Sequence, residues 1–281
     1  MAAMIKLTDA QMAQFRLFGF LKFPGMLDDR IDAIIKAFED IWTQRGGGHG
    51  GKRHEGKARS CIVPFIDQSE YLSSLLDDPR IEGLAASILG DDFNYVGSDG
   101  NYYVGDTGWH SDGFNRDGLN FCKIALYLDP LTASTGALRV IPGSHHLGDA
   151  FAEGLEANIY HAKDKWDIAG RDIPCMALET KPGDVLVFNH RVKHSSFGGS
   201  TSRRMFTLNL SQRYPEDKID SLRGYVAAHA RFWIDSVYGP AMLNTASPRR
   251  MVHLEQVLAH QDHLPALAAK ARSEMAEPSR G

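Results

Sequence analysis

Lys181-Pro182-Gly183-Asp184-Val185-Leu186-Val187-Phe188-Asn189-His190-Arg191-Val192-Lys193-His194 is the stretch on which the reading of this chain turns. Pro-Gly-Asp is turn chemistry. The apolar run after it is long enough for a buried strand and too short for a helix, and a histidine stands at its far end. The same texture extends across residues 93–213. Short apolar runs at 95–97, 102–104, 121–128, 138–141, 176–179 and 204–210 are separated by Gly, Pro, Asn and Asp. Short strands at this spacing predict an all-β sandwich or closed barrel.

On either side of this segment the pattern turns helical. Thr8 reads as an N-cap with Gln11 three residues later, and Leu21-Lys22-Phe23-Pro24 as a short strand. Asp28-Asp29 opens a second predicted helix, with Ile31, Ile34, Ile35, Phe38 and Ile41 at helical spacing. Further helices are predicted at 69–89, 219–235 and 249–272. Residues 46–59 are rich in glycine and carry Lys52, Arg53, His54, Lys57 and Arg59. They offer almost nothing to a core and read as a mobile basic loop, either solvated or an anion-binding lid. The expected organisation is one domain over 1–281: a helical part at 1–92, a β core at 93–213 and a helical part at 214–281.

Composition bounds the function. With 43% hydrophobic residues the chain can bury a core, so disorder is excluded. Thirty-one Lys and Arg against 35 Asp and Glu leave a net charge of −4, which argues against nucleic acid as a partner. Cys61, Cys122 and Cys175 are odd in number and widely spaced, which speaks against a disulfide framework or a thiolate zinc cluster. No run approaches the length of a membrane span and the first residues lack a signal core, so a cytoplasmic protein is expected. Histidines, at twelve, outnumber the cysteines, and their convergence is the question to ask.

The sharpest local signal is Trp109-His110-Ser111-Asp112. On an extended strand residues i and i+2 share a face, so His110 and Asp112 can present an imidazole and a carboxylate to one ion. His-x-Asp alone is weak, and a third ligand must come from another strand. His190 and His194 are the candidates. Two histidines and one carboxylate on one side of a metal, with open positions opposite, form the facial triad of non-haem Fe(II) oxygenases. The open positions take a bidentate co-substrate and O2.

Several runs then fall into place together: Trp109-His110-Ser111-Asp112-Gly113, Leu126-Tyr127-Leu128-Asp129, Gly136 through His145, and Pro182-Gly183-Asp184 with Phe188 and His194. With Phe18-Gly19-Phe20, this pattern resembles the phytanoyl-CoA dioxygenase family over residues 7–213. The resemblance implies a double-stranded β-helix (jelly roll, cupin-like) core packed by N- and C-terminal helices. It implies Fe(II), 2-oxoglutarate and O2, with His110, Asp112 and His194 as catalytic metal ligands. His194 is preferred to His190 because it is followed by Ser195-Ser196. The family's arginine, which anchors 2-oxoglutarate about ten residues beyond the distal histidine, falls on Arg203 or its neighbour Arg204. A strand points these two to opposite faces, and Arg203 is favoured. Ser196 is expected to add a hydroxyl.

The family's frequent Asn just past the distal histidine is replaced here by Phe197-Gly198-Gly199, which bears on the local loop and the substrate pocket. Asp112 speaks against halogenation, because halogenases of this fold lose that carboxylate. The expected reaction is hydroxylation of an unactivated C–H bond in a small polar or anionic molecule, with Tyr103, Trp109, Phe114, Asn115 and Arg116 as candidate substrate contacts. A cupin-type metal hydrolase or isomerase and a non-catalytic jelly-roll sensor are the competing readings. No membrane partner is expected, and the chain is read as a monomer or homodimer.

Overall fold

The computed structural model describes residues 5–113 and 118–281, and the predicted contacts Phe114, Asn115 and Arg116 fall outside them. Within the described residues, two antiparallel sheets face each other. The larger has the order β1-β8-β5-β10-β3-β2, from Phe20–Phe23 (β1), Val185–Asn189 (β8), Phe121–Tyr127 (β5), Arg203–Ser211 (β10), Asn94–Tyr103 (β3) and Ser60–Ile62 (β2). The smaller has the order β4-β9-β6-β7, from Thr107–His110 (β4), His194–Ser196 (β9), Leu138–Val140 (β6) and Met176–Leu178 (β7). This is the expected jelly roll, mainly β with flanking helices.

Burial follows the alternation along each strand. On β10, Phe206 and Leu208 pack outward with Phe38, Trp42, Phe65 and Leu72 beneath the N-terminal helices. Met205 faces inward and joins Phe20, Tyr127, Val140, Phe188 and Val192 between the sheets. The sequence splits β3 into two runs because Ser98-Asp99-Gly100-Asn101 is polar. It is one ten-residue strand, and its polar centre includes Asp99 and Asn101, which face the barrel interior. Gly100 lies against the Phe65 ring, where a Cβ would collide with it.

The first helix begins as its cap predicts. Thr8 and Gln11 form a reciprocal capping box on α1 (Asp9–Phe18), and Gly19 ends that helix in the left-handed region at φ 84°. The second helix, α2 (Ile31–Gln44), starts later than Asp28-Asp29 suggests. Residues 25–30 instead tie onto the Pro-Gly-Asp turn, where Leu27 N donates to Gly183 O at 2.9 Å. The stretch 69–89 breaks into α3 (Glu70–Ser73), a 3-10 turn and α4 (Pro79–Leu89). Asp78 caps α4 and Pro79 has no N–H to continue the preceding turn.

Two helices that the sequence reading passed over, α5 (Ala150–Asn158) and α6 (Ala162–Trp166), lie between β6 and β7. At the C-terminal end, α7 (Ile219–Ala227) passes into a 3-10 turn. The expected helix 249–272 is divided among α9 (Pro248–Val252), α10 (Glu255–Ala259) and α11 (Leu264–Glu274), after the short α8 (Pro240–Asn244). The break after Val252 frees His253 O to accept from Tyr95 N on β3 at 2.9 Å. No helix among the described residues is long and apolar enough to cross a membrane.

The basic loop is tied down by its histidines. His49 is buried between Cys61 O and Pro278 O, and His54 stacks on Tyr102 and meets Ser60 Oγ and Thr201 O. Lys52, Arg53 and Lys57 are exposed, whereas the Arg59 side chain turns inward to Asn101 and Asp99. All three cysteines are free.

Asp184 joins β1 to the turn. Its carboxylate is 7% exposed, accepts from Gly25 N at 2.9 Å and Lys181 N at 3.1 Å, and pairs with Lys22 at 3.2 Å. Asp184→Ala leaves these donors unmatched and is expected to lower the unfolding free energy by about 2 kcal/mol, read from urea denaturation.

Candidate metal centre

The pairing of β4 with β9 sets His110 directly opposite His194, with ring centroids 4.2 Å apart. Asp112 follows β4 by two residues, held where its N–H donates to His190 O at 2.9 Å. One ligand atom from each of His110, Asp112 and His194 lies within 4.8 Å of the others, a spacing that one ion can span. His190, the competing histidine, sits at the end of β8, and its ring packs on Phe121.

Both imidazoles have a defined tautomer. His110 Nδ1 faces Gly108 O at 2.8 Å and His194 Nδ1 faces Val192 O at 2.9 Å. A carbonyl can only accept, so each Nδ1 carries the hydrogen and each Nε2 keeps its lone pair for a metal. Burial pushes His194 down to about 3, which favours the neutral, ligating form.

Asp112 is ionised for a different reason. Burial works against its charge, but Lys123 and the neighbouring imidazoles outweigh that and hold it well below the usual carboxylate range. Lys123 rises from the middle of β5 and puts Nζ 2.9 Å from Asp112 Oδ1, while Oδ2 lies 3.6 Å from His194 Nε2. One oxygen is thus taken by the ammonium and the other faces the imidazoles. The donor set of two imidazoles and one ionised carboxylate fits a divalent first-row metal such as iron.

Sequence reasoning missed Lys123, because a single lysine in an apolar strand looks like a surface residue until the inner face of the sheet is known. Beside it, Asp99 accepts from Thr207 and Asn101 and pairs with Arg59 at 3.3 Å.

Arg203 and Arg204 point to opposite faces of β10. Arg203 is 3% exposed, and its guanidinium donates to Gly136 O at 2.7 Å and to Ser196 Oγ. Its Nε is buried with no hydrogen-bond partner among the described residues. Gly136, at φ 96°, permits this approach, since a Cβ there would overlap the guanidinium. Arg204 is matched instead by Asp129 at 2.6 Å and Glu39 at 2.8 Å. Tyr103 lies between the guanidinium carbons of Arg59 and Arg203, 4.3 and 5.1 Å from its ring centre. Trp109 faces away from His110, in a cluster with Ile141, Ile159 and Ile173, and its Nε1 donates to Gly170 O at 2.7 Å.

A cavity of about 260 Å³ opens beside Asp112, lined by Phe121, His190, Tyr214, Ser221 and Tyr225 among others. His190 Nε2 is buried there without a partner among the described residues. Of the remaining histidines, His145 and His146 bond to carbonyls at the end of α1, and His253 is buried on Phe93. His49 and His253 are therefore structural.

Removing Lys123 isolates a sheltered carboxylate. In the metal-free protein Lys123→Met is expected to cost about 3 kcal/mol in chemical unfolding. Added Co(II), which supplies positive charge at the same carboxylate, should narrow the gap from wild type.

The model of the phytanoyl-CoA dioxygenase (PhyH) family matches residues 15–206. No curated protein sequence matches the chain. Similar solved structures include the non-heme alpha ketoglutarate dependent carbocyclase SnoK from nogalamycin biosynthesis, at 20% identity and TM-score 0.58 over 73% of this chain and 84% of that one. EctD from S. alaskensis is 20% identical, with TM-score 0.56 over 75% and 82%. HygX from Streptomyces hygroscopicus, solved with nickel and 2-oxoglutarate, is 15% identical, with TM-score 0.55 over 75% and 89%. At these identities the likeness establishes a shared fold.

Proposed function

Because the chain belongs to the phytanoyl-CoA dioxygenase family, and so is an Fe(II)- and 2-oxoglutarate-dependent oxygenase, we propose that it hydroxylates an unactivated C–H bond of a small polar or anionic molecule. His110, Asp112 and His194 would hold the iron. The observation that carries this reading is the convergence of two tautomerically defined imidazoles and one ionised carboxylate within 4.8 Å. Bound Fe(II), with 2-oxoglutarate and O2, supplies the oxidising power: one oxygen atom goes to the substrate and the other to succinate, with release of CO2.

The remaining work falls to the chain. Arg203 would bind the distal carboxylate of 2-oxoglutarate, with its unpartnered Nε as an open donor and Ser196 as a second polar contact. Arg204 is already matched by two carboxylates and serves the outer face of the sheet. Phe188, whose ring lies 5.0 Å from His194, and the buried Val140 keep water from this side. Such exclusion protects a reactive centre. The substrate would sit beside Asp112, in the cavity closed by α7. Support for a polar substrate comes from Asp112, Asn189 and Ser221 in the cavity lining, and from the unpartnered His190 Nε2.

His110→Ala and Asp112→Ala should each abolish oxoglutarate-dependent succinate formation while the circular dichroism spectrum stays that of wild type. Full turnover in both would remove the metal assignment. Arg203→Ala should raise the KM for 2-oxoglutarate by about 10-fold or more, the scale of one lost charge-assisted hydrogen bond. Arg204→Ala should change it far less, and the reverse order would move the anchor to Arg204.

A further inference from the structure

The helical insert between β6 and β7 grips the metal-ligand segment from outside the barrel. Glu156 on α5 accepts from Ser111 Oγ at 3.2 Å through Oε2, and the same oxygen pairs with Lys193 Nζ at 2.7 Å. Ser111 stands between His110 and Asp112, and Lys193 immediately precedes His194. One carboxylate oxygen therefore joins the two segments that carry the three candidate ligands.

The arrangement is costly to leave incomplete. The Lys193 side chain is 0% exposed, and its ammonium also donates to Arg191 O at 3.0 Å. An ammonium taken that far from water requires a counter-charge, and Glu156 supplies it. The same insert adds Tyr160, whose hydroxyl accepts from Ser111 N at 3.3 Å, and Gly170 O, which accepts from Trp109 Nε1 at 2.7 Å. Residues 109, 111 and 193 are thus anchored to a single peripheral unit.

We propose that Glu156 is a positioning residue for the metal centre, holding the His110–Asp112 segment and His194 at the spacing that one ion needs. The proposal rests on the metal assignment made above. Glu156 does not touch the metal; it acts through Ser111 and Lys193. Loss of a partner bonded directly to a ligand weakens metal binding about 10- to 100-fold, and Glu156, one contact further out, belongs at the lower end of that range.

Co(II), whose visible absorption reports on its ligands, tests this when titrated into the metal-free full chain. Glu156→Gln keeps the shape and removes the charge; it should bind Co(II) about 10-fold more weakly than wild type and alter the visible band. Ser111→Ala removes a single hydroxyl beside the ligands. It should weaken Co(II) binding severalfold without moving the thermal midpoint, and combining it with Glu156→Gln should add little. Wild-type affinity and spectrum in Glu156→Gln overturn the proposal. If Glu156→Gln does not fold, Ser111→Ala decides: weaker binding at an unchanged midpoint supports it, and unchanged binding overturns it. A wild-type chain that takes up no Co(II) overturns the metal assignment itself, and the proposal with it.

Discussion

The antiparallel pairing of β4 with β9 is the contact on which the candidate site depends. It is short and irregular, with a register shift between Thr107 and His110, yet it sets His110 opposite His194. A slip of one residue would turn one imidazole out of the barrel, because side chains alternate with period two. The register is held from outside the pair. Val192 is buried against the close approach of Gly19, Lys193 N donates to Ser144 Oγ at 2.8 Å, and His194 pairs with Val140 on β6. The Pro-Gly-Ser turn after β6 and the helix end at Gly19 thus determine where a candidate metal ligand points.

Charge compensation is the second constraint. The barrel interior holds Arg59, Asp99, Lys123 and Asp112, an alternating series running from β2 and β3 across the sheet to the triad. Each charge is sheltered, and each has an opposite neighbour that offsets its desolvation. The Lys193–Glu156 pair does the same on the other side of β9. Asp112 is ionised because of this field, and His194 is held neutral by burial; both conditions suit a cation. Charge balance and the ionised state of Asp112 therefore have one origin.

Much of this was readable in advance, for identifiable reasons. Turn residues around short apolar runs located the strands of the core, and His-x-Asp with a distal histidine marked the candidate ligands, since period-two geometry acts over three residues. Helix limits were less legible. Asp78-Pro79 divides one predicted helix, and His253 ends another because β3 needs its carbonyl. The insert helices were missed because α5 and α6 are short and, with the turn between them, keep Phe151, Tyr160 and Trp166 exposed, so no clear apolar stripe announces them. The structural roles of His49 and His253 were not legible, because their burial depends on backbone carbonyls far away in the chain.

By itself the sequence determined the fold class, the family resemblance and the residue types available to a metal, because these reside in local spacing. It also determined that Arg203 and Arg204 face opposite ways. Only the tertiary structure decided which one is inside, since that depends on which face of β10 the second sheet covers. Tertiary structure alone also brought Lys123 to Asp112 and Glu156 to both Ser111 and Lys193. Those contacts join residues 11 to 45 positions apart, and no local periodicity encodes which distant side chain a fold will place beside a charge.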